Sequence, residues 1–176
     1  ISLTDANGRT VEVQITGPGV PGKGFPATRR DGRQVHIPLE ILSGESIDAI
    51  ANEMRRQSTG LPVGTTVAVQ SLTIKQIDGK FRYFFRISNM TAKPFSGTVK
   101  ITMQNVMKGV TNGGATAFDT SQAIPAGGAT TVYVEKNTGP KAVHADASII
   151  GFHYEVISDG ASIANGSGSV PEDVVE

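Results

Sequence analysis

The 176-residue sequence contains no cysteine and no tryptophan. Without cysteine there are no disulfides, no thiolate nucleophile and no Cys-ligated zinc. Charge is scarce at 18%, and the 16 basic residues are matched by 16 acidic ones. The balance holds locally as well: seven basic face seven acidic residues before Gly60, and nine face nine after it. A nucleic-acid or anionic-membrane surface needs clustered Lys and Arg, so no nucleic-acid partner is expected. Arg29, Arg30 and Arg33 form the one short basic group, and they flank a turn, where solvated charge is ordinary. No segment approaches the roughly 20 apolar residues of a membrane helix, so any membrane attachment would come through a segment outside this sequence. The chain begins at Ile1 rather than Met, from which we expect a signal or anchor segment to have been removed.

What is present is turn chemistry and short apolar runs. The 21 glycines and 9 prolines suit a turn-rich β protein, and 38% hydrophobic residues can supply a core. From Ile1 to about Leu42, short strand-like stretches are punctuated by Asn7-Gly8, Gly17-Pro18-Gly19, Pro21-Gly22 and Asp31-Gly32. Asn-Gly and Asp-Gly accept the positive φ of tight hairpins. After Asp31-Gly32 the sequence alternates, with Val35, Ile37 and Leu39 on one side and Gln34, His36 and Pro38 on the other. Pro38 marks a strand edge or end. Ser43 then reads as an N-cap, and Ile47, Ile50, Ala51 and Met54 fall on one face of a helix. Arg55 and Arg56 suit its C-terminal end, and Ser58-Thr59-Gly60 with Pro62 stops it. The spacing therefore predicts a small unit over 1–60 ending in a helix, with a junction at about 58–63.

Beyond Thr65 the runs lengthen into Thr66–Ile77, Phe81–Ser88, Gly97–Asn105, Ala129–Glu135, Ala147–Ser158 and Ala161–Val170. Such spacing predicts a β-sandwich over 61–176, closed by an acidic tail containing Glu172, Asp173 and Glu176. In the clearest strand Phe81, Tyr83, Phe85 and Ile87 alternate with Arg82, Phe84, Arg86 and Ser88. Val99, Ile101 and Met103 repeat the pattern, as do Phe152, Tyr154 and Val156, with Gly151 read as a bulge.

Two resemblances rest on these residues. The order Asp5-x-x-Gly8-Arg9, Asp31-Gly32-Arg33 and Ile37-Pro38-Leu39, with Leu42-Ser43 opening a helix, resembles the SHD1 family of small SH3-like domains. That resemblance implies a small barrel and a peptide-binding role, with no contact residues carried over. Residues 65–170 resemble bacterial immunoglobulin-like domains, through Ile87-Ser88-Asn89 leading to Gly97, and Ile124-Pro125-Ala126-Gly127-Gly128 leading into Thr130–Val134. Similar folds serve in adhesins, pilin-like subunits and spacers of exported enzymes. The expected fold class is mainly β: an SH3-like barrel unit with one helix, then an immunoglobulin-like sandwich.

Catalytic patterns are sparse. His144-x-Asp146 and His153-x-Glu155 each set two potential metal ligands on one face of a strand, without a third at a fixed offset. Gly166-Ser167-Gly168-Ser169 does not precede a helix as a nucleophile elbow does, and reads as a turn or fraying strand. The Gly17–Gly24 run lacks the Gly-Lys-Ser/Thr of a phosphate loop and reads as a flexible surface loop. Asn89-x-Thr91 and Asn165-x-Ser167 match the glycosylation pattern. The acidic residues fall in turns, the helix and the tail, where solvation accounts for them. No enzyme and no cofactor are expected.

The remaining functional signal is Phe84 between Arg82 and Arg86, opposite the core stripe. A large aromatic flanked by guanidiniums suits protein contact or sugar stacking; packing against the small unit or the second sheet accounts for it as well. The sequence thus points to a non-enzymatic structural or interaction module of the bacterial cell envelope or exterior, adhesin-like or pilus-like. Its partners are expected to be proteins or further copies of itself. The alternative is a small peptide- or carbohydrate-binding module, alone or as an accessory to an exported enzyme.

Overall fold

The computed structural model describes residues 1–57, 66–140 and 148–175, and it is mainly β. The proposed junction at 58–63 and the pair His144 and Asp146 lie outside the described residues.

The first sheet has the order β1 (Ser2–Thr4), β2 (Thr10–Ile15), β3 (Phe25–Arg29) and β4 (Gln34–Ile37), each antiparallel to the next. The expected turns are where the sheet needs them, with Gly8 and Gly32 both at positive φ. β4 stops at Ile37 because Pro38 has no N–H for the ladder and instead precedes a single 3-10 turn. An isolated bridge between Asp5 and Leu42 curls the sheet back on itself.

Helix α1 (Gly44–Gln57) follows. Ser43 caps it by accepting the Ser46 N–H on its Oγ at 3.3 Å. Ser46 then fastens the helix to β1, its Oγ accepting the Thr4 N–H at 2.6 Å and donating to the Thr4 carbonyl at 3.1 Å. The helix buries Ile47, Ile50 and Ala51 against Leu3, Val13, Ile15 and Phe25.

The remaining strands build two sheets. One has the order β10 (Ala129–Lys136), β6 (Lys80–Asn89), β5 (Val67–Ile77) and β13 (Val174–Val175). The other has the order β12 (Ala161–Ser169), β11 (Gly151–Ser158), β7 (Thr98–Asn105) and β8 (Val110–Thr111), with β9 (Thr116–Asp119) also pairing β7. Their inner faces share one core: Val69, Tyr83, Phe85 and Ile87 meet Val99, Ile101, Phe152 and Val156. Phe85 and Phe152 touch edge to face, with ring centroids 4.9 Å apart. The residues that alternation turns inward on the two sheets thus fall in one shared core.

Four sequence readings change. Gly151 is not a bulge; it opens β11, and the register shift falls between Val156 and Ile157. A Cβ at Gly151 would press on the Gly168 carbonyl and the Val106 side chain, which is the reason for glycine there. Gly166–Ser169 is neither turn nor frayed end, but paired strand in β12, and the Tyr154 ring lies where a Gly166 Cβ would project. The acidic tail is not only solvated charge, because Val174 and Val175 add a parallel strand to β5 beside Ile74 and Lys75. Finally, the Gly17–Gly24 segment is anchored. Gly19 is buried and donates its N–H to Val106, and Gly109 meets the Gly19 carbonyl backbone to backbone.

The small sheet's core is accordingly not made by its own residues alone. Met107 and Ile150, both from the sandwich segment, are fully buried within it. Arg55 adds polar ties: it donates to the Pro140 carbonyl at 2.8 Å and to the Val170 carbonyl at 3.3 Å. Among the described residues no helix is long and apolar enough to cross a membrane.

Candidate functional site

The three residues singled out by sequence lie together on the outer face of the sheet β10-β6-β5-β13. β6 sends Tyr83, Phe85 and Ile87 inward, so the two-residue repeat sends Arg82, Phe84 and Arg86 outward. Packing against the small unit or the second sheet does not account for Phe84. It is half-buried, faces away from the shared core and belongs to neither hydrophobic cluster.

Its neighbours come from distant sequence. Antiparallel pairing puts Tyr133 opposite Phe84, Glu135 opposite Arg82 and Thr131 opposite Arg86. On the other side Lys75 pairs Arg82 and Gln70 pairs Arg86, with the β5 bulge between Ser71 and Ile74 opposite Phe84. The Phe84 and Tyr133 rings are 5.6 Å apart and tilted by 51°. Lys75 Nζ sits 5.7 Å from the Phe84 centroid, and the Arg82 guanidinium carbon 4.7 Å from that of Tyr133. Both are within cation–π range. Tyr133 is 44% exposed, which leaves this cluster open to solvent.

The strands of this face carry more basic than acidic side chains. Lys75, Lys80, Arg82 and Arg86 stand on its strands against one carboxylate, Glu135. Arg82 Nε donates to Glu135 at 3.1 Å and Lys80 lies 3.6 Å from it, so one acid is shared by two bases. Arg86 is exposed, and Lys75 has only the aromatic ring as a close neighbour among the interactions described. Next to Glu135 a hollow of about 380 Å³ is lined by Lys80, Asn112, Glu135, Lys136, Asn137 and Thr138.

The other candidates are not brought together. His153 and Glu155 occupy the outer face of the second sheet, where His153 Nδ1 lies 3.1 Å from Ser167 Oγ. Among the described residues no group of three or more His, Asp or Glu could hold a metal ion. His36 is exposed on β4, as expected of an edge residue. Arg30 meets Glu12 at 3.5 Å and Arg33 meets Asp31 at 3.9 Å, as expected of charges beside turns. Asn89 is wholly buried, its amide donating to the Lys93 and Ile124 carbonyls at 2.8 Å. Its pattern with Thr91 is thus a turn motif: Thr91 donates back to the Asn89 oxygen from both its N–H and its hydroxyl.

No family model matches this chain, and no curated protein matches it.

Sequence reasoning missed Tyr133 and Lys75. Val132 and Val134 point into the core, so alternation alone could have turned Tyr133 outward. Which strand would lie beside Phe84 was not readable, because Tyr133, opposite it on β10, is 49 residues further along the chain (133 − 84).

Proposed function

We propose that the chain is a non-enzymatic interaction module of the bacterial cell envelope or exterior, adhesin-like or pilus-like, that docks a partner on the outer face of its four-stranded sheet. The carrying observation is the solvent-open Phe84–Tyr133 pair with Lys75, Arg82 and Arg86 around it. Such a cluster contributes nothing to either core, and aromatic and Arg side chains are the types that anchor contacts. The low charge, the turn-rich composition and the resemblance to bacterial immunoglobulin-like domains support the location. A protein partner, a further copy of the chain or a surface polymer would meet this face.

Cosedimentation of the purified chain with isolated cell envelopes tests the reading. The chain should enter the pellet, and the double variant Phe84→Ala with Tyr133→Ala should stay in the supernatant while keeping its circular dichroism. A folded double variant that pellets equally well would end the proposal.

A second reading, a peptide-binding module, is favoured by one feature. The small sheet carries a mainly apolar groove of about 260 Å³ lined by Val11, Val35, Pro38 and Ile41, with Arg9 and Arg29 at its rim. Ile41 is 50% exposed there. The resemblance to the SHD1 family supports this use, and a peptide array probed with the chain and with Ile41→Ser would separate the two readings.

A further inference from the structure

The outer-face cluster has a property that bears on what it binds. Its two rings are already faced by cations, Lys75 beside Phe84 and Arg82 beside Tyr133. A neutral sugar stacking on those rings would have to displace them. An anion would not, since it meets cations that the rings and Glu135 already hold in place. Arg82 is fixed from two sides, by Tyr133 and by Glu135. Preorganised guanidinium groups of this kind favour the planar, bidentate recognition of carboxylates.

The arrangement is also linear. Lys80, Arg82, Phe84 and Arg86 follow one another along the face of β6, at about 6.7 Å per step for a two-residue repeat. At the Lys80 end the track continues into the hollow lined by Asn112, Asn137, Thr138 and Lys136. That lining is amide, hydroxyl, ammonium and the Glu135 carboxylate, which match the hydroxyl groups of a sugar rather than apolar side chains. A peptide that adds a strand would instead need a free sheet edge. β6 has none, because it lies between β5 and β10; among the described strands of this sheet it is β10, to one side of the track, that has an edge free.

Resting on the docking face described above, we propose that the ligand is an acidic polysaccharide, a polymer of carboxylate-bearing sugars. Its carboxylates would lie on Lys75, Arg82 and Arg86 and its hydroxyls in the adjoining polar hollow.

Affinity electrophoresis tests this with three probes: polygalacturonate, the same polymer methyl-esterified, and polyglutamate. Polygalacturonate should retard the chain and the esterified polymer should not. Retardation should weaken with added salt, and Arg86→Ala and Lys75→Ala should each lower affinity by about two- to fivefold without changing the thermal midpoint. Asn137→Ala should also weaken it, which a purely electrostatic patch would not show. Equal retardation by polyglutamate would assign the face to acidic peptides instead, and equal retardation by the esterified polymer would remove charge from the recognition; either overturns the proposal. If no polymer retards a folded chain but envelopes still pellet it through Phe84, the polysaccharide is wrong and the docking face stands. If both experiments fail, the docking face falls as well.

Discussion

The backbone N–H of Gly19 donates to the Val106 carbonyl at 2.7 Å, joining the glycine- and proline-rich segment of the small unit to the turn after β7. Asn105 shapes that turn, its side-chain oxygen accepting the N–H groups of Met107 and Lys108 at 3.0 and 3.1 Å. The consequence is that Met107 is delivered into the core beneath the first sheet and α1.

Gly19→Ala would drive a methyl group into the Met107 carbonyl, where only backbone can give way. We expect a loss of about 1–3 kcal/mol, the range for overpacking a filled site, read from urea unfolding. Gly114→Ala is the control, because nothing lies within 4 Å of its Cβ position and its φ is unexceptional. It should shift stability by less than about 0.5 kcal/mol.

Arg55 connects the helix to two other parts of the chain. Its guanidinium donates to the carbonyls of Pro140 and Val170, and Glu172 lies 3.9 Å away. Burial lowers the Arg55 pKa from its ordinary value, opposed by the Glu172 charge, but an arginine remains charged. Arg55→Met keeps much of the apolar stem and removes the donors, so unfolding should show a loss of about 1.5–3 kcal/mol. Glu172→Gln removes only a long, half-exposed ion pair and should cost under about 1 kcal/mol. If the two variants are equally damaging, the carbonyl bonds are not what hold the helix to the Pro140 and Val170 segments.

Asn89 offers a sharper test of a buried polar group. Its amide nitrogen donates to the Lys93 and Ile124 carbonyls and also reaches that of Pro125 at 3.3 Å, while its oxygen accepts from Thr91. Asn89→Asp turns the donor into an acceptor facing those carbonyls, inside a site with no exposure. The expected loss is about 3 kcal/mol or more at neutral pH. The deficit should shrink in acid as the new carboxyl takes up a proton and regains a donor. If the Asn89→Asp chain proves as stable as the parent at neutral pH, water must reach the site.

Period-two alternation made most of the two larger sheets legible. The stripe Tyr83, Phe85 and Ile87, the stripe Val99, Ile101 and Met103, and the helix capped by Ser43 all occupy the places their patterns predict. The same rule turned Arg82, Phe84 and Arg86 outward. What stayed illegible depends on contacts between distant segments. Glycine in Gly17–Gly24 signals turn freedom and close approach alike, and only the Val106–Gly109 turn on the other side decides between them. β8, β9 and β13 are two to four residues long, too short to show a period. Tyr133 and Lys75 join Phe84 only through the order β10-β6-β5, which single-strand patterns do not specify.

Asp5 sets how the small sheet answers to acid. Its carboxylate accepts the Asn7 and Arg9 N–H groups at 2.9 and 2.8 Å, and Arg9 Nε at 2.7 Å. Those bonds, the Arg9 backbone N–H foremost, hold its pKa below the ordinary 3.8. A carboxyl depressed in the folded state binds protons less readily there than in the unfolded chain. Its contribution is therefore complete above the ordinary value and lost as pH falls through the lower folded one. Asp5→Asn keeps one acceptor oxygen but removes the titration. Between pH 5 and pH 2 the parent should lose more stability than the variant, so the two urea midpoints should converge on acidification. Parallel midpoint curves would mean that the β1–β2 turn gains nothing from the ionised form.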